Sequence, residues 1–503
     1  MNYRFFVIFI FTFATVECQN VANNANANNT DGTMDVATID AATNLEEEIL
    51  KPELPHLCTV CNCIGDIMDC DNRNLTHHFE GGQWSNITIR IASFKGNLLV
   101  HVKPFPKIEI RKLSLQKNEI TRIDPRAFKE IINLTELDLS HNQLTTENLK
   151  PSVFEGKFSS DAYEPLEKLA VLNLAHNVLH SLHQDLFEHM ESLKVLNLSW
   201  NLFSRIDERT SIAISSLPHL EELDLSYCGL KTLSDVHFYS SRSLRKLNLS
   251  GNLLTSVPKA LEETTMLEVL YLDENPIQII DRLYPFPLIP KLKELSLCCM
   301  PHLTVVGPYA FSGLTSLEHL RIENCPKLES IDDYALATQN KNGYYVPVWP
   351  PLKKLDLSDN ALRYLPQQLV ARWDWLEKLD LMNNKWSCDC NNQYLIGTLL
   401  PKYGKKLMGD ELDSLICAFP PEHAGKNLSS LSHRSLRCLD LNNARPERDA
   451  TILIGILVGL LLAIPVCLTI FVFWRRGFFF WGAQGPATFS RAFYKRAWDD
   501  DEI

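Results

Sequence analysis

A chain of 503 residues exceeds an ordinary single domain, and 45% hydrophobic with 22% charged residues, 20 Gly and 26 Pro excludes a collagen, a wholly disordered chain and a multi-pass membrane protein. The formal net charge of -12 argues against a nucleic-acid binder, which needs clustered Lys and Arg to meet phosphate. Fourteen cysteines fit an oxidising compartment, where they serve as disulfides.

In chain order, residues 1-18 place Arg4 before an apolar run from Phe5 to Val16, too short to span a bilayer and read as a signal peptide. Residues 19-57 are rich in Asn, Ala and acids and poor in large apolar side chains, the composition of a disordered leader. Seven acids and one Lys give it a net -6, nearly half of the -13 expected outside the cell, so no cationic partner follows from the acidity. Residues 58-109 open with Cys58, Cys61, Cys63 and Cys70 spaced C-x2-C-x-C-x6-C and are expected to hold an N-terminal cysteine cap and a first strand.

From residue 110 to 387 the pattern LxxLxLxxN starts eleven times, at Ile110, Leu134, Leu169, Leu193, Leu220, Leu244, Leu267, Leu292, Leu317, Leu352 and Leu376, with a modal spacing of 24. LTELDLSHNQL from Leu134 and LRKLNLSGNLL from Leu244 are typical. This repeat resembles the extracellular leucine-rich repeat family over roughly residues 58 to 440. In each unit the Leu-x-Leu core forms a short strand with leucines inward and the alternate residues outward, and one unit cannot bury its leucines alone. Eleven stacked strands predict a parallel sheet about 50 Å long. The fold class is therefore an α/β solenoid, a leucine-rich repeat horseshoe with a short-stranded parallel concave sheet, disulfide caps and one transmembrane helix.

The Asn that closes the motif (118, 142, 177, 201, 252, 275, 360 and 384) is expected to turn inward and satisfy backbone groups. Cys228 and Cys325 occupy the same place, either as buried thiols or as disulfide partners, and pairing of Cys299 with Cys325 is the specific bridge to test. Two intervals of 35 residues carry insertions. The second contains Tyr344, Tyr345 and Trp349, which either form a binding loop or pack back on the convex side.

Beyond the repeats, residues 388-440 carry Cys388, Cys390, Cys417 and Cys438 in a pattern similar to the family's C-terminal cap. The resemblance implies bridges Cys58 to Cys63, Cys61 to Cys70, Cys388 to Cys417 and Cys390 to Cys438; zinc held by four thiols is the alternative. Residues 441-449 are a juxtamembrane linker. Residues 450-474 hold no charge over 25 positions, enough to cross a bilayer, and Arg475, Arg476 and the aromatics after them place the 29-residue tail, 475-503, in the cytoplasm. That tail is too short for a folded signalling domain, which separates the chain from receptors resembling Toll. Gly455, Gly459 and Ala463 form a small-residue face for helix dimerisation, and the terminal Asp-Glu-Ile is a candidate PDZ ligand.

Sequons nominate Asn28, Asn74, Asn86, Asn133, Asn197, Asn248 and Asn427 for glycosylation, and Asn197 and Asn248 would project glycans from the concave sheet. Farther along, Val269, Tyr271, Asp273, Glu294, His319, Arg321 and Glu323 form the expected protein-binding patch, because Tyr and Arg are enriched in binding hot spots. Asp138, Ser140 and His141 are a by-product of LDLSHN, not a triad, and no cofactor, metal or phosphate motif is present. The sequence thus reads as a plasma-membrane, single-pass type I protein without catalysis. It would recognise or adhere to an extracellular protein and signal through recruited partners. The alternative role is an auxiliary subunit of a channel or receptor in the same membrane.

Overall fold

A computed structural model describes residues 56-84, 88-158, 163-164, 166-233, 238, 242-338, 348-369, 375-438 and 446-475. The signal peptide, nearly all of the leader, Asn28, Asn86, Tyr344, Tyr345 and the C-terminal Asp-Glu-Ile lie outside the described residues. The chain divides into two units, up to Leu436 and from Arg437 onward.

In the first unit, three-residue segments centred on the middle leucine of each motif extend because alternate residues have opposite destinations. They form one fourteen-stranded sheet. Its strands are β1 (Asn62–Ile64), β2 (Ile67–Asp69), β3 (Ile91–Ser93), β4 (Lys112–Ser114), β5 (Glu136–Asp138), β6 (Val171–Asn173), β7 (Val195–Asn197), β8 (Glu222–Asp224), β9 (Lys246–Asn248), β10 (Val269–Tyr271), β11 (Glu294–Ser296), β12 (His319–Arg321), β13 (Lys354–Asp356) and β14 (Lys378–Asp380). β1 and β2 form an antiparallel hairpin, and every later pairing is parallel and in the same register, Met68 beside Ala92, Ala92 beside Leu113 and then leucine beside leucine. The register follows from the pattern, since a slip of one residue would turn every leucine to solvent.

β3 shows that the repeat begins one turn before the first sequence match. Ile89, Ala92, Phe94 and Asn97 fill the four motif positions and are all buried. Ala and Phe in place of two leucines hide the turn from a leucine count.

The leucines of all turns join one continuous core. On the far side of it, phenylalanines stack from turn to turn, Phe105 on Phe128 at 6.1 Å and Phe128 on Phe154 at 6.0 Å between centroids. Among the described residues the convex side holds little helix. Its regular pieces include Glu208–Ser215, capped by the Asp207 carboxylate accepting from the Thr210 N–H at 2.9 Å, and a second small sheet of Ile279–Ile280, Val305–Val306 and Ser330–Ile331. The solenoid is thus chiefly β in character, with about one β-strand per turn and few helices.

Both ends of the array are closed. The β1–β2 hairpin carries the bridges Cys58–Cys63 and Cys61–Cys70, and Cys388–Cys417 pins the C-terminal segment beneath the buried Trp386. Cys390 and Cys438 are each disulfide-bonded as well. Of the second insertion, Trp349 is partly buried and packs against the core.

In the second unit, Pro446–Arg475 is a single helix. Its Ala450–Arg475 stretch has a mean hydropathy of 2.9 and is long and apolar enough to cross a membrane.

Candidate functional site

The inward ladder explains why the sheet is so regular. The Asn118 amide donates to Phe94 O at 2.9 Å and Leu115 O at 3.0 Å, and its Oδ1 accepts from the Leu99 N–H at 3.2 Å. Asn97, Asn142, Asn177, Asn201, Asn252, Asn275, Asn360 and Asn384 repeat the arrangement. Each ties two turns together with buried bonds that cost about 1–3 kcal/mol per group to leave unmade.

Cys228 and Cys325 keep half of that job. Their thiols reach the preceding turn at Leu198 O and Leu297 O, both 3.3 Å away, but a thiol cannot replace the amide as an acceptor. The cysteines' own N–H groups are met from the following turn: Asn252 Oδ1 accepts from the Cys228 N–H at 3.0 Å and Asn360 Oδ1 from the Cys325 N–H at 2.8 Å. Burial pushes both thiols up to about 12.

The expected Cys299–Cys325 bridge is overturned, because Cys325 is a buried free thiol while Cys299 is held in a disulfide. The geometry explains it. Position 325 points into the core, whereas the Cys299 sulfur lies at the sheet's rim, where it accepts from the Asn324 side chain at 3.4 Å.

The outward face carries two columns of side chains. The first contains ion pairs between neighbouring strands, such as Lys112–Glu136 at 2.7 Å and Lys246–Glu222 at 3.4 Å. In the second column, Asp138, Asn173, Asn197, Asp224, Asn248, Asp356 and Asp380 each accept from the N–H two residues on, at 2.9 to 3.1 Å. Such local caps are what Asp and Asn side chains do best. Asn248 also donates to Asp224 Oδ2 at 3.2 Å, and burial raises the Asp224 pKa. A glycan at Asn248 would compete with that bond. Outside the sheet, the Asn133 side chain accepts from Lys168 at 2.6 Å, and Asn74 and Asn427 are exposed.

At β10 to β12 the second column changes to Tyr271, Ser296 and Arg321. The cap is replaced by a bond between turns: Asp273 Oδ1 accepts from the Cys298 N–H at 2.7 Å. Asp71 does the same for the Lys95 N–H at 2.9 Å. Burial raises the Asp273 and Cys298 pKa values, and the Tyr271 hydroxyl is pushed up to about 12 by burial and by Glu294, to which it donates at 3.3 Å. Arg321 is committed to Glu323; burial opposes its charge, but Cys298, Glu323 and Asp273 outweigh that and raise its pKa. The structure therefore brings the predicted patch together but divides it. Tyr271, Glu294 and His319 present their side chains outward, while Asp273, Arg321 and Glu323 are tied down within the sheet.

A third column escaped the sequence reading. The residue before each inward Asn, Cys or Met has a left-handed backbone, with φ from 53° to 57° at Lys117, His141, His176, Trp200, Tyr227, Glu274, Cys299, Asn324, Asp359 and Asn383. Side chains other than Gly, Asn or Asp are strained there by roughly 1–2 kcal/mol. Four of these residues stack face to face across successive turns. Centroids lie 3.9 Å apart for His141–His176, 5.0 Å for His176–Trp200 and 4.2 Å for Trp200–Tyr227, with planes within 13°. Tyr227 continues across Gly251, whose missing Cβ would lie 2.2 Å from the ring, and donates to Glu274 Oε1 at 2.8 Å. The signal was present as SHN, AHN, SWN and SYC at one repeat position. This also settles Asp138, Ser140 and His141, since the His141 ring lies on His176 and the Asp138 carboxylate on the Ser140 N–H.

Family models described as "Leucine rich repeat" match residues 108–156, 167–230 and 218–277, and one described as "BspA type Leucine rich repeat region (6 copies)" matches 284–344. The turns are leucine-rich repeats. With its disulfide-bonded N-terminal cap and one apolar C-terminal helix, this leucine-rich repeat chain is similar to Tsukushi of Gallus gallus, 26% identical over 287 residues, 56% of this chain and 71% of Tsukushi. It is 32% identical to Lumican of Gallus gallus over 229 residues, 45% of this chain and 55% of Lumican. It is 31% identical to CD180 antigen of Mus musculus over 173 residues, 34% of this chain and 24% of that antigen.

Proposed function

We propose that this protein is a single-pass type I protein of the plasma membrane whose leucine-rich repeats face outward and bind an extracellular protein, in recognition or adhesion. Signalling would pass through recruited partners. The observation that carries the reading is the break in the outward columns at β10 to β12. There the self-capping Asp or Asn column gives way to Tyr271, Ser296 and Arg321, and the Tyr271 hydroxyl turns to Glu294, which His319 faces at 3.9 Å, a half-buried polar cluster suited to a partner. The apolar Ala450–Arg475 helix, followed by Arg476, supports the anchor and its orientation. On intact cells, an antibody to a tag placed after residue 57 should stain without permeabilisation and one to a C-terminal tag should not; the opposite pattern sinks the topology. A Tyr271→Ala, His319→Ala double variant should lower binding of the tagged ectodomain to partner-bearing cells at least tenfold, and unchanged binding removes the patch.

The remaining sequence expectations follow from the same placement. Occupied sequons at Asn197 and Asn248 would narrow access to the sheet between β7 and β9 and leave β10 to β12 open. A Cβ added at Gly455 or Gly459 meets no neighbouring atom of this chain, which suits a second helix approaching the Gly455, Gly459 and Ala463 face. Loss of membrane crosslinking in Gly459→Ile supports that dimer, and an unchanged yield removes it.

A further inference from the structure

Beside the concave patch, the rim of the sheet carries a second surface. Two residues beyond His176, Trp200 and Gly251, Val178, Leu202 and Leu253 are 39%, 59% and 48% exposed, and Trp200 is 41% exposed although its neighbours cover both faces of its ring. Rings and aliphatic side chains thus share one rim, with Gly229 leaving a gap beside the Tyr227 ring between Leu202 and Leu253. Apolar residues scattered singly over a surface need no explanation, but a contiguous row marks a contact surface.

The two ends of the row differ in charge. At one end the exposed Lys117 holds the place next to His141 in the left-handed column; burial and then Lys117 lower the His141 pKa, with Asp138 opposing them and Lys95 adding to them. At the other end Tyr227 donates its hydroxyl to Glu274, beside Asp273. We infer that the rim from Lys117 to Leu253 is a docking surface for an extended protein segment, with its aliphatic side chains along Trp200, Leu202 and Leu253 and its carboxylates toward Lys117.

The class of partner follows from the ring geometry. A sugar stacks on an open aromatic face, and mutual stacking within 13° has used up the inner faces of this row. What remains is ring edges, which carry the positive part of the aromatic quadrupole and accept carboxylate and carbonyl oxygens. A peptide supplies those oxygens together with apolar side chains; a neutral glycan supplies neither a carboxylate nor an aliphatic anchor. The inference rests on the protein-binding reading above but names a different face.

The test uses the full-length protein in nanodiscs and a phage-displayed library of random 12-residue linear peptides. Peptides combining an acidic residue with two or more apolar ones are expected to enrich. Their affinity should fall at least tenfold in Leu202→Asp, Leu253→Asp, whose positions are exposed enough for folding to survive, with an unchanged melting curve as the check. Lys117→Glu should lower it again, and Tyr271→Ala should leave it unaltered. Enriched peptides that bind the double variant as tightly as the parent overturn the inference, as does failure of any peptide to enrich. Loss confined to Tyr271→Ala overturns it too, while upholding the concave patch. Two other occupants are read in parallel: heparin binding that the double variant abolishes, or sedimentation of the parent as a dimer that the variant dissolves, would replace the peptide and sink the proposal.

Discussion

The turns from Leu134 to Asn252 and those from Leu267 to Cys325 share one leucine framework and differ in how they satisfy everything else. In the earlier group an outward Asp or Asn caps its own turn, and in four of its five turns an inward Asn clamps the preceding one; Cys228 is the exception. In the later group the outward capping residue is gone, Asp273 caps the following turn instead, and Met300 and Cys325 take the inward position in two turns of three. The capping position is thereby freed for other side chains, Tyr271, Ser296 and Arg321, but the backbone of one turn then depends on a residue of another.

The sharpest way to break this contrast is at the inward position. Asn201→Ala strands the Leu179 N–H and the Leu174 and Leu198 carbonyls, so it should cost about 3 kcal/mol at about 1 kcal/mol per bond, whereas Cys325→Ala should cost about 1. Urea unfolding of both variants checks it, and equal losses would dissolve the distinction. Next in size, Asp273→Ala leaves the Cys298 N–H unmet and should cost about 2 kcal/mol, with faster hydrogen exchange at residue 298, in the neighbouring turn. Gly251→Ala should follow at about 1 kcal/mol, since φ is +66° there, and the new Cβ must displace the Tyr227 ring. Altered near-ultraviolet dichroism from Trp200 reports the broken stack.

Acidification should separate the groups by sign. His141 and His176 have lowered pKa values, chiefly from burial, so their contribution is full above the ordinary imidazole value of about 6.5 and is lost as pH falls through the depressed range. Asp273 has a raised pKa, so its contribution is full below the ordinary value of about 3.9 and is lost as pH rises through the elevated range. Exchange rates corrected for intrinsic pH dependence should show protection around His176 falling, and protection around Cys298 rising, as the pH is lowered through each group's shifted range. The smallest expected effect is none at all: with thiols pushed up to about 12, Cys228 and Cys325 should resist alkylation until the chain unfolds.

The framework was legible because leucine spacing encodes it directly. The strand positions and the inward Asn column follow from eleven matches in register. The turn at Ile89 was not legible, since Ala92 and Phe94 fill leucine positions, and core packing reads shape where a motif reads letters. Asp273 was read as a contact residue because outward position was taken to mean availability; its carboxylate is occupied by a backbone group 25 residues away. The ring stack was missed for a related reason. Its members are 24 to 35 residues apart, and their adjacency exists only down a column, never along a turn.

The left-handed column sets a limit on how this surface can evolve. Its backbone angle is dictated by the turn whatever the side chain, so mutation there changes chemistry without changing shape. Glycine would be the least strained resident, as at Gly96 and Gly251, yet Lys, His, Trp, Tyr and Glu occupy its neighbours. Ten such positions form an alphabet that can be rewritten one letter at a time, with Asn and Asp held at little strain and other side chains at roughly 1–2 kcal/mol.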